Sequence, residues 1–428
     1  MNRLSSLTDR LRRKKLVTEA DPFDKDVEID RLSNDSREVG PNAMFVAIRG
    51  DEADGHLFID KAVENGAIAV VCETVPGELR LRHPGTVFAT VSDSRAAWAE
   101  LSAEFFDDPG NELTLVGTTG TNGKSTTAHL IHSVLASLGT PCGLIGTISY
   151  KIADEVLPAT HTTPDAFDLA SLLKRMVDQG CAACSMEVSS HALAQRRVAT
   201  LDFDVAVFTN LTQDHLDFHG SFDDYLRAKK LLFTGLGTDA TAVYNADDPS
   251  ADRVLSETRA QTLSFGQSDR ADVRFEVLES GLDGLVLGLD GSRRKYRLVG
   301  PFNAYNISAA YCAARALGFQ SGDVIEALAA APPVPGRFEQ LHLANGGLVI
   351  VDYAHTPDAL TRVLSAARAI LPEDGRLICV FGCGGDRDPD KRSRMGSIAE
   401  QDADLVIVTS DNPRSENPGR ILDDIRTG

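Results

Sequence analysis

No run of 18 apolar residues, the length a membrane-spanning helix requires, occurs in the 428-residue chain. Residues 1–15 are basic, but no apolar stretch follows them, so they lack the form of a secretory signal. Leu4, Leu7 and Leu11 are spaced instead for one face of a short amphipathic helix. Positive charge is in deficit: 43 Lys and Arg stand against 62 Asp and Glu, a net charge of −19, which argues against a nucleic-acid-binding surface. Anionic small molecules suit that balance only if cations are gathered locally or Mg²⁺ is recruited. Cysteine is sparse, seven residues scattered along the chain, the usage of a reduced, cytoplasmic protein. Cys181 and Cys184 form a C-x-x-C, and Cys379 and Cys383 lie farther on. Both pairs fall in or beside apolar strand-like runs, so buried structural thiols outweigh a zinc or redox site. What is present, 43% apolar and 25% charged residues, describes an ordinary globular chain long enough for two to four domains.

Strand-like and helix-like segments alternate throughout, which predicts an α/β protein of three domains. The first, residues 1–112, is a small α/β domain with strands at 43–48, 67–72 and 87–91, helices at 56–65 and 94–106, and polar loops at 35–37 and 50–55. The second, residues 113–333, carries strands at 142–150, 181–188 and 204–211 and a helix at 166–179. Ser221, with Asp224 three residues on, caps a further helix, and a hairpin excursion lies between 270 and 300. Its alternation implies a mostly parallel sheet flanked by helices. PPVPGR at 332–337 is the clearest linker. The third, residues 334–428, is a Rossmann-like unit with strands at 348–353, 377–382 and 405–410 and a helix after Pro357. Three strands make a thin sheet, so this domain is expected to be incomplete, cut short inside its fold.

Residues 113–125, LTLVGTTGTNGKS, have the character of a phosphate-binding loop. An apolar strand leads into glycines and small polar residues, then Lys124 and Ser125, then a helix with apolar positions at 130, 131, 134, 135 and 138. Backbone N–H groups of such a loop and the positive end of its helix surround phosphate oxygens. The strict pattern G-x-x-x-x-G-K-[ST] fails at one place, because Thr118 stands where its first glycine belongs. Nucleotide binding still outweighs a glycine-rich turn that binds nothing, although the loop does not choose between ATP and GTP. Glu187 ends a strand and is either a Mg²⁺ ligand or an unpaired charge, of which the ligand is favoured. For His215 and His219, site histidine and ordinary loop histidine weigh equally. Lys229 and Lys230, adjacent on a helix, read as a solvated face on spacing alone. Arg387 breaks a dinucleotide fingerprint, and residues 411–414 would serve equally as a plain turn. The two arginines, Arg387 and Arg414, could together grip a carboxylate.

Eight motifs occur in order: TGTNGKST (119–126), MEVSSHAL (186–193), NLTQDHLDFHG (210–220), YLRAKKLLF (225–233), GPFNAYN (300–306), DYAHTPDAL (352–360), GCGGDRDPDKR (382–392) and DNPR (411–414). Over residues 29–428 the chain closely resembles the Mur ligases of peptidoglycan synthesis. Within them it resembles the type that adds the third residue to UDP-N-acetylmuramoyl-L-alanyl-D-glutamate. The departure at Thr118 is that family's form of the loop. Folylpolyglutamate synthetases share the loop but are not expected to carry DSR, HTTP, GGDRD and DNPR together.

The resemblance implies an ATP-dependent amide ligase that forms an acyl phosphate on the D-glutamyl γ-carboxylate and passes it to an amino-acid amine. By motif position, Gly120, Thr121, Asn122, Gly123, Lys124, Ser125 and Thr126 would hold ATP, bordered by Asn303, Asn306, Arg337, Asp352 and His355. Asn34, Ser36 and the turn Asp51, Glu52, Ala53 would contact the UDP part. His161, Thr162, Thr163, Ser189, Gln195 and Arg197 would contact the muramoyl-peptide. Lys124, Glu187, His215 and Lys229 would be catalytic, with Ser125, Glu187, His215 and a carbamylated Lys229 holding Mg²⁺, which reverses the bland reading of Lys229. Arg387, Asp411, Asn412, Pro413 and Arg414 would bind the incoming amino acid. DNPR with the GGDRD arginine resembles the meso-diaminopimelate type, whose substrate carries a distal carboxylate that lysine lacks. The family's K-G-H-E motif does not occur in these 428 residues, so part of the amino-acid pocket is expected to be wanting. The expected setting is a cytoplasmic monomer with no nucleic-acid partner and no stable membrane insertion. The alternatives are a lysine-adding or other Mur-type ligase and, from another class, a non-catalytic homologue that binds a UDP-sugar.

Overall fold

The computed structural model describes residues 2–22, 26–50, 53–75 and 77–428. They fall into two compact units. The first comprises residues 2–114, 163–182 and 192–202. Its five-stranded sheet has the order Val17–Ala20, Val87–Val91, Ala67–Cys72, Ala43–Val46, Arg31–Ser33. The first pair is antiparallel and the rest are parallel. Two-residue alternation sends its side chains to two cores. Ala43, Phe45 and Ala47 pack with Ile59 and Ala62, while Met44 and Val46 pack with Trp98, Leu101 and the leucines of the first helix, Leu4–Arg13. Leu4, Leu7 and Leu11 are all buried, as their spacing requires. The helix expected at 56–65 is a 3₁₀ turn, Gly55–Phe58, followed by Ile59–Glu64. Helix Ala166–Asp178 belongs to this unit too. The Trp98 indole donates to Asp165 at 2.6 Å and its ring stacks on Phe167 at 5.7 Å.

The second unit, residues 115–162, 183–191 and 203–428, is built on an eleven-stranded sheet. Its order is Ser292–Tyr296, Gly284–Leu289, Val273–Gly281, Gln261–Gly266, Thr241–Asn245, Val205–Phe208, Thr114–Thr119, Ala183–Glu187, Cys142–Ile145, Ser149–Ile152, Glu155–Pro158. Parallel pairing runs through the interior, and antiparallel hairpins finish both ends. Thr114–Thr119 lies between the strands that end at Glu187 and Phe208. Connections therefore leave it on both sides, and the crevice beyond its carboxyl end is where an open α/β sheet receives a ligand. The run expected at 142–150 is two antiparallel strands with a turn at 146–148. Helix Lys124–Ser137 buries Leu130, Ile131, Val134 and Leu135 in one core with the alanine-rich helix Phe302–Ala316.

The three strands expected near the C-terminus do not form one sheet among the described residues. Leu348–Val351 pairs antiparallel with Glu339–His342, and Ile378–Phe381 pairs in parallel with Leu405–Val408, giving two separate two-stranded sheets. Helices Pro357–Ala369, Asp390–Asp402 and Pro418–Arg426 share a small core through Leu360, Leu364, Met395, Ala399, Ile421 and Ile425. All seven cysteines are buried. Among the described residues no helix is long and apolar enough to cross a membrane.

Candidate active site

The phosphate-type loop is shaped by two glycines and by the chain opposite. Gly120 has φ +149°, and a Cβ there would lie 1.9 Å from Thr209 Oγ1; Gly123 has φ +86°, and a Cβ would lie 2.3 Å from Asn306 Oδ1. Only glycine fits both the backbone and the space. Residues 209–212 bind the loop from the neighbouring strand end. Thr121 N donates to Asn210 O, Asn122 N to Asn210 Oδ1 (both 2.9 Å), and Thr209 Oγ1 to Asn122 O at 2.7 Å. Thr118 lies inside strand Thr114–Thr119 and is fully buried. The turn begins two residues later, so position 118 has no need of glycine.

Lys124 Nζ donates to the carbonyls of Gly120 (3.0 Å) and Thr121 (2.8 Å). Burial lowers its pKa, only partly opposed by Glu187 and Asp214. Glu187 is 0% exposed, and its carboxylate accepts from Ser125 Oγ (3.0 Å), Thr147 N (2.7 Å) and Thr147 Oγ1 (3.2 Å). It is thus a buried, partnered charge rather than an orphan at a strand end. Gly146 makes this possible, since a Cβ there would meet Glu187 Oε1 at 2.5 Å.

Lys229 is 1% exposed and donates to the same Gly120 carbonyl at 2.7 Å, with Tyr225 beneath it at 4.5 Å. Burial, then the charge of Lys124, holds its amine well below the usual lysine range. Lys230 is only half-buried, and its amine meets Ser256 Oγ at 2.8 Å and Glu257 at 2.7 Å near the surface. The expectation of a solvated face therefore fails at Lys229 and is met only in part at Lys230. His215, at φ +55°, stands 3.3 Å from Asp214 and edge-on to His191; burial lowers its pKa to about 3. His219 turns to Ser190 at 2.9 Å.

The C-terminal segment completes this cavity of about 440 Å³. Arg337 donates to Ser125 Oγ at 2.6 Å and lies over Tyr353. Asp358 accepts from Asn122 Nδ2 at 2.8 Å, and His355 stands 3.6 Å from Asp214. Burial raises the Asp352 carboxyl, whose oxygens accept from the backbone of Phe338 and Ala354. Asn306 lines the cavity, whereas Asn303 sits behind it and donates to Val299 O while accepting from Asn306. Farther along, loops 382–388 and 411–416 follow two parallel strands. There Arg387 and Arg414 are exposed and donate to the carbonyls of Asp386 (2.8 Å) and Gly385 (2.5 Å).

Family models match three stretches: "Mur ligase family, catalytic domain" over 28–106, "Mur ligase middle domain" over 118–314, and "Mur ligase, glutamate ligase domain" over 336–428. The UDP-N-acetylmuramoyl-L-alanyl-D-glutamate–2,6-diaminopimelate ligase of Cytophaga hutchinsonii is 44% identical, across 94% of this chain and 82% of the relative. That of Bacteroides fragilis is 40% identical, across 97% and 86%. The chain belongs to the Mur ligase family. A solved structure bearing the same ligase name superposes with a TM-score of 0.71 at 33% identity, covering 94% of this chain and 84% of that one. MurF ligase from Thermotoga maritima, solved with ADP, shares the fold at a TM-score of 0.63 and 24% identity over 92% and 86%.

Apart from the loop pair at 382–388 and 411–416, most residues expected from Mur ligase motifs lie at one of two cavities. Residues 120–126 cluster with Glu187, His215, Lys229, Asn306, Arg337, Asp352 and His355, and Thr162 and Ser189 line this cavity as well. Asn34, Ser36, Ala53, Gln195 and Arg197 line a different cavity of about 750 Å³, wholly within the first unit. There Arg197 donates to Thr163 O at 2.8 Å and to Gln195 Oε1 at 2.6 Å. His161 is exposed and lines neither cavity; Asp51 and Glu52 lie outside the described residues. Thr147, Asp214, Tyr225 and Asp358 escaped the sequence reading. Asp214, Tyr225 and Asp358 lie inside the quoted motifs 210–220, 225–233 and 352–360, a signal that could have found them; Thr147 lies in none. The metal set expected from the motifs is only partly gathered: Ser125 and Glu187 touch, while His215 and Lys229 are engaged with Asp214 and Gly120.

Proposed function

We infer that this chain is an ATP-dependent ligase that joins meso-2,6-diaminopimelate to the D-glutamyl γ-carboxylate of UDP-N-acetylmuramoyl-L-alanyl-D-glutamate in peptidoglycan synthesis. One observation carries the reading. Lys124, Glu187 and Lys229 meet around a glycine-shaped phosphate-type loop, in a chain 40 to 44% identical to ligases named for that substrate pair.

In the reaction, a γ-carboxylate oxygen attacks the terminal phosphorus of ATP and ADP leaves. The diaminopimelate amine, having lost its proton, then attacks the acyl carbon, and phosphate departs as the amide forms. Lys124 and Arg337 lie where they would cancel the repulsion between carboxylate and triphosphate. Gly120 to Thr126 would hold the phosphates, and Asn303, Asn306, Asp352 and His355 would border the nucleotide. Ser125 beside the buried Glu187 carboxylate fits a Mg²⁺ ion, with His215 and a carbamylated Lys229 as the proposed remaining ligands; the ion would supply further neutralisation of phosphate charge. Lys229 suits carbamylation because only an uncharged amine reacts with CO₂, and burial disfavours the ammonium. Asn34, Ser36, Asp51, Glu52, Ala53, Gln195 and Arg197 would take the UDP-muramoyl part, with His161, Thr162, Thr163 and Ser189. Arg387, Asp411, Asn412, Pro413 and Arg414 would take diaminopimelate. An arginine at the distal end would meet no second carboxylate on lysine, which selects against that amino acid. We place the domain limits at 112 and 333 and take the enzyme to be a cytoplasmic monomer.

The test is phosphate release from ATP in the presence of the UDP-dipeptide. Release that depends on meso-diaminopimelate is expected. Equal rates with lysine would overturn the specificity, and binding of the UDP-dipeptide with no turnover would overturn the ligase reading.

A further inference from the structure

Under the two exposed loops lies a cation that the proposed chemistry does not use. Arg392, in the helix Asp390–Asp402, is 2% exposed. Its guanidinium reaches Glu416 twice, at 3.0 and 2.8 Å, Asp424 at 2.8 Å and the Gly384 carbonyl at 3.4 Å. Gly384 belongs to loop 382–388 and Glu416 to loop 411–416, so one buried group binds both. The loops also clasp each other. Asp386 N donates to Glu416 Oε1 at 2.5 Å, Ser415 N and Oγ donate to the Asp386 carboxylate at 2.9 and 2.8 Å, and Gly385 N donates to Asn412 O at 2.9 Å. A Cβ at Gly385 would lie 1.9 Å from Pro413 O, which shows how closely the backbones approach. Asp386 and Arg414 adopt φ of +50° and +47°, a conformation that costs a non-glycine residue energy and persists only where its surroundings impose it.

We propose that Arg392 is a positioning residue for the amino-acid subsite: through Glu416 and Gly384 it fixes the two loops together and thereby holds Arg387 and Arg414 in one arrangement. This rests on the reading of those loops as the diaminopimelate site. Arginine suits the task because its planar fork pairs a carboxylate bidentately while a further N–H reaches a second partner, which lysine cannot reproduce. Asp424, in helix Pro418–Arg426, anchors the same guanidinium from below.

Steady-state kinetics of Arg392→Met and Arg392→Lys on the full chain test it. Both should raise the KM for meso-diaminopimelate, by about tenfold or more for Met and less for Lys. The KM values for ATP and the UDP-dipeptide should stay within about twofold. The preference for diaminopimelate over lysine should shrink as well, which a uniform loss of folded protein would not produce. Unchanged diaminopimelate KM and preference, in an active variant, overturn the proposal. If Arg392→Met does not fold, Glu416→Gln carries the same expectation, since it weakens the clasp but leaves Arg392 with Asp424. A wild-type enzyme with no diaminopimelate-dependent turnover would instead remove the reading of the subsite on which the proposal stands.

Discussion

The phosphate-type loop and the loop pair at 382–388 and 411–416 present their cations alike. Lys124, Arg387 and Arg414 donate to backbone carbonyls. Arg10 and Arg392, by contrast, pair with two or more carboxylates each. A cation already neutralised by carboxylates has little left to offer an anion, whereas one resting on neutral carbonyls keeps its charge available. What separates the two regions is solvent. Glu187 and Lys229 are buried at the phosphate loop, where charge interactions are strong and ionisation itself is costly. Arg387 and Arg414 are exposed, where an arginine contributes through its fork geometry rather than through raw Coulomb energy. The first arrangement suits stabilising charge that develops during a reaction. The second suits choosing one substrate.

The strongest way to break this contrast is Lys229→Ala. Removing this buried side chain from the reacting centre should lower kcat about 10³-fold with a folded protein, and short carboxylic acids should restore part of it if a carbamate is the working form. An unaffected kcat would place Lys229 outside the chemistry. A smaller, differently shaped effect is expected of Arg414→Ala. Loss of one charge-assisted pair should raise the diaminopimelate KM roughly a hundredfold, the scale of 2 to 3 kcal/mol, and leave the ATP KM alone. An equal rise in both constants would erase the proposed division between reaction and selection.

Burial at the phosphate loop also makes a claim about pH. His129, on the helix that follows, donates Nδ1–H to Ser125 O at 2.9 Å, and burial lowers its pKa from 6.5 to about 4. A histidine kept neutral in the fold stabilises fully above pH 6.5, and that contribution falls as pH drops toward 4, because the unfolded chain binds the proton first. By pH 5 the loss is about 2 kcal/mol for this one residue. Urea unfolding at pH 7 and pH 5 should show a smaller difference in His129→Gln than in the parent, and an undiminished difference would mean that His129 is not the group responsible.

How much of this was readable in advance depends on the range of the interaction concerned. Period-two and helical patterns located most elements, because burial of one face is a local property of sequence. The strands 67–72 and 87–91 matched to the residue. The glycine loop was legible because Gly120 and Gly123 are required by backbone geometry. Spacing misjudges Lys229 because two adjacent lysines on a helix read alike, whereas Lys229 reaches Gly120, 109 residues away, and Lys230 reaches Glu257 near the surface. Thr147 was invisible for a related reason. It serves Glu187 from a turn inside what looked like one continuous strand. The C-terminal strands were found individually, but their division between two sheets depends on pairing partners that no apolar run encodes.

Thr118 offers the smallest and sharpest test of the same contrast, since it sits beside the reacting centre yet should not belong to it. Its side chain is fully buried, and its hydroxyl has no hydrogen-bond partner among the described residues. The strict phosphate-loop pattern would put glycine there. If that pattern described the requirement, Thr118→Gly should tighten ATP binding. The structure argues the opposite: a strand interior gains nothing from glycine and loses packing and backbone rigidity, about 1 kcal/mol of stability, with the ATP KM unchanged. Thr118→Val replaces the unpartnered hydroxyl with a methyl group of the same shape, and should be neutral or stabilising by up to about 1 kcal/mol. The denaturant midpoint of Thr118→Gly should therefore fall below the parent's, while that of Thr118→Val stays level with it or rises. If both variants fell and the ATP KM rose in each, the Thr118 hydroxyl would have to be counted among the groups that shape the nucleotide site.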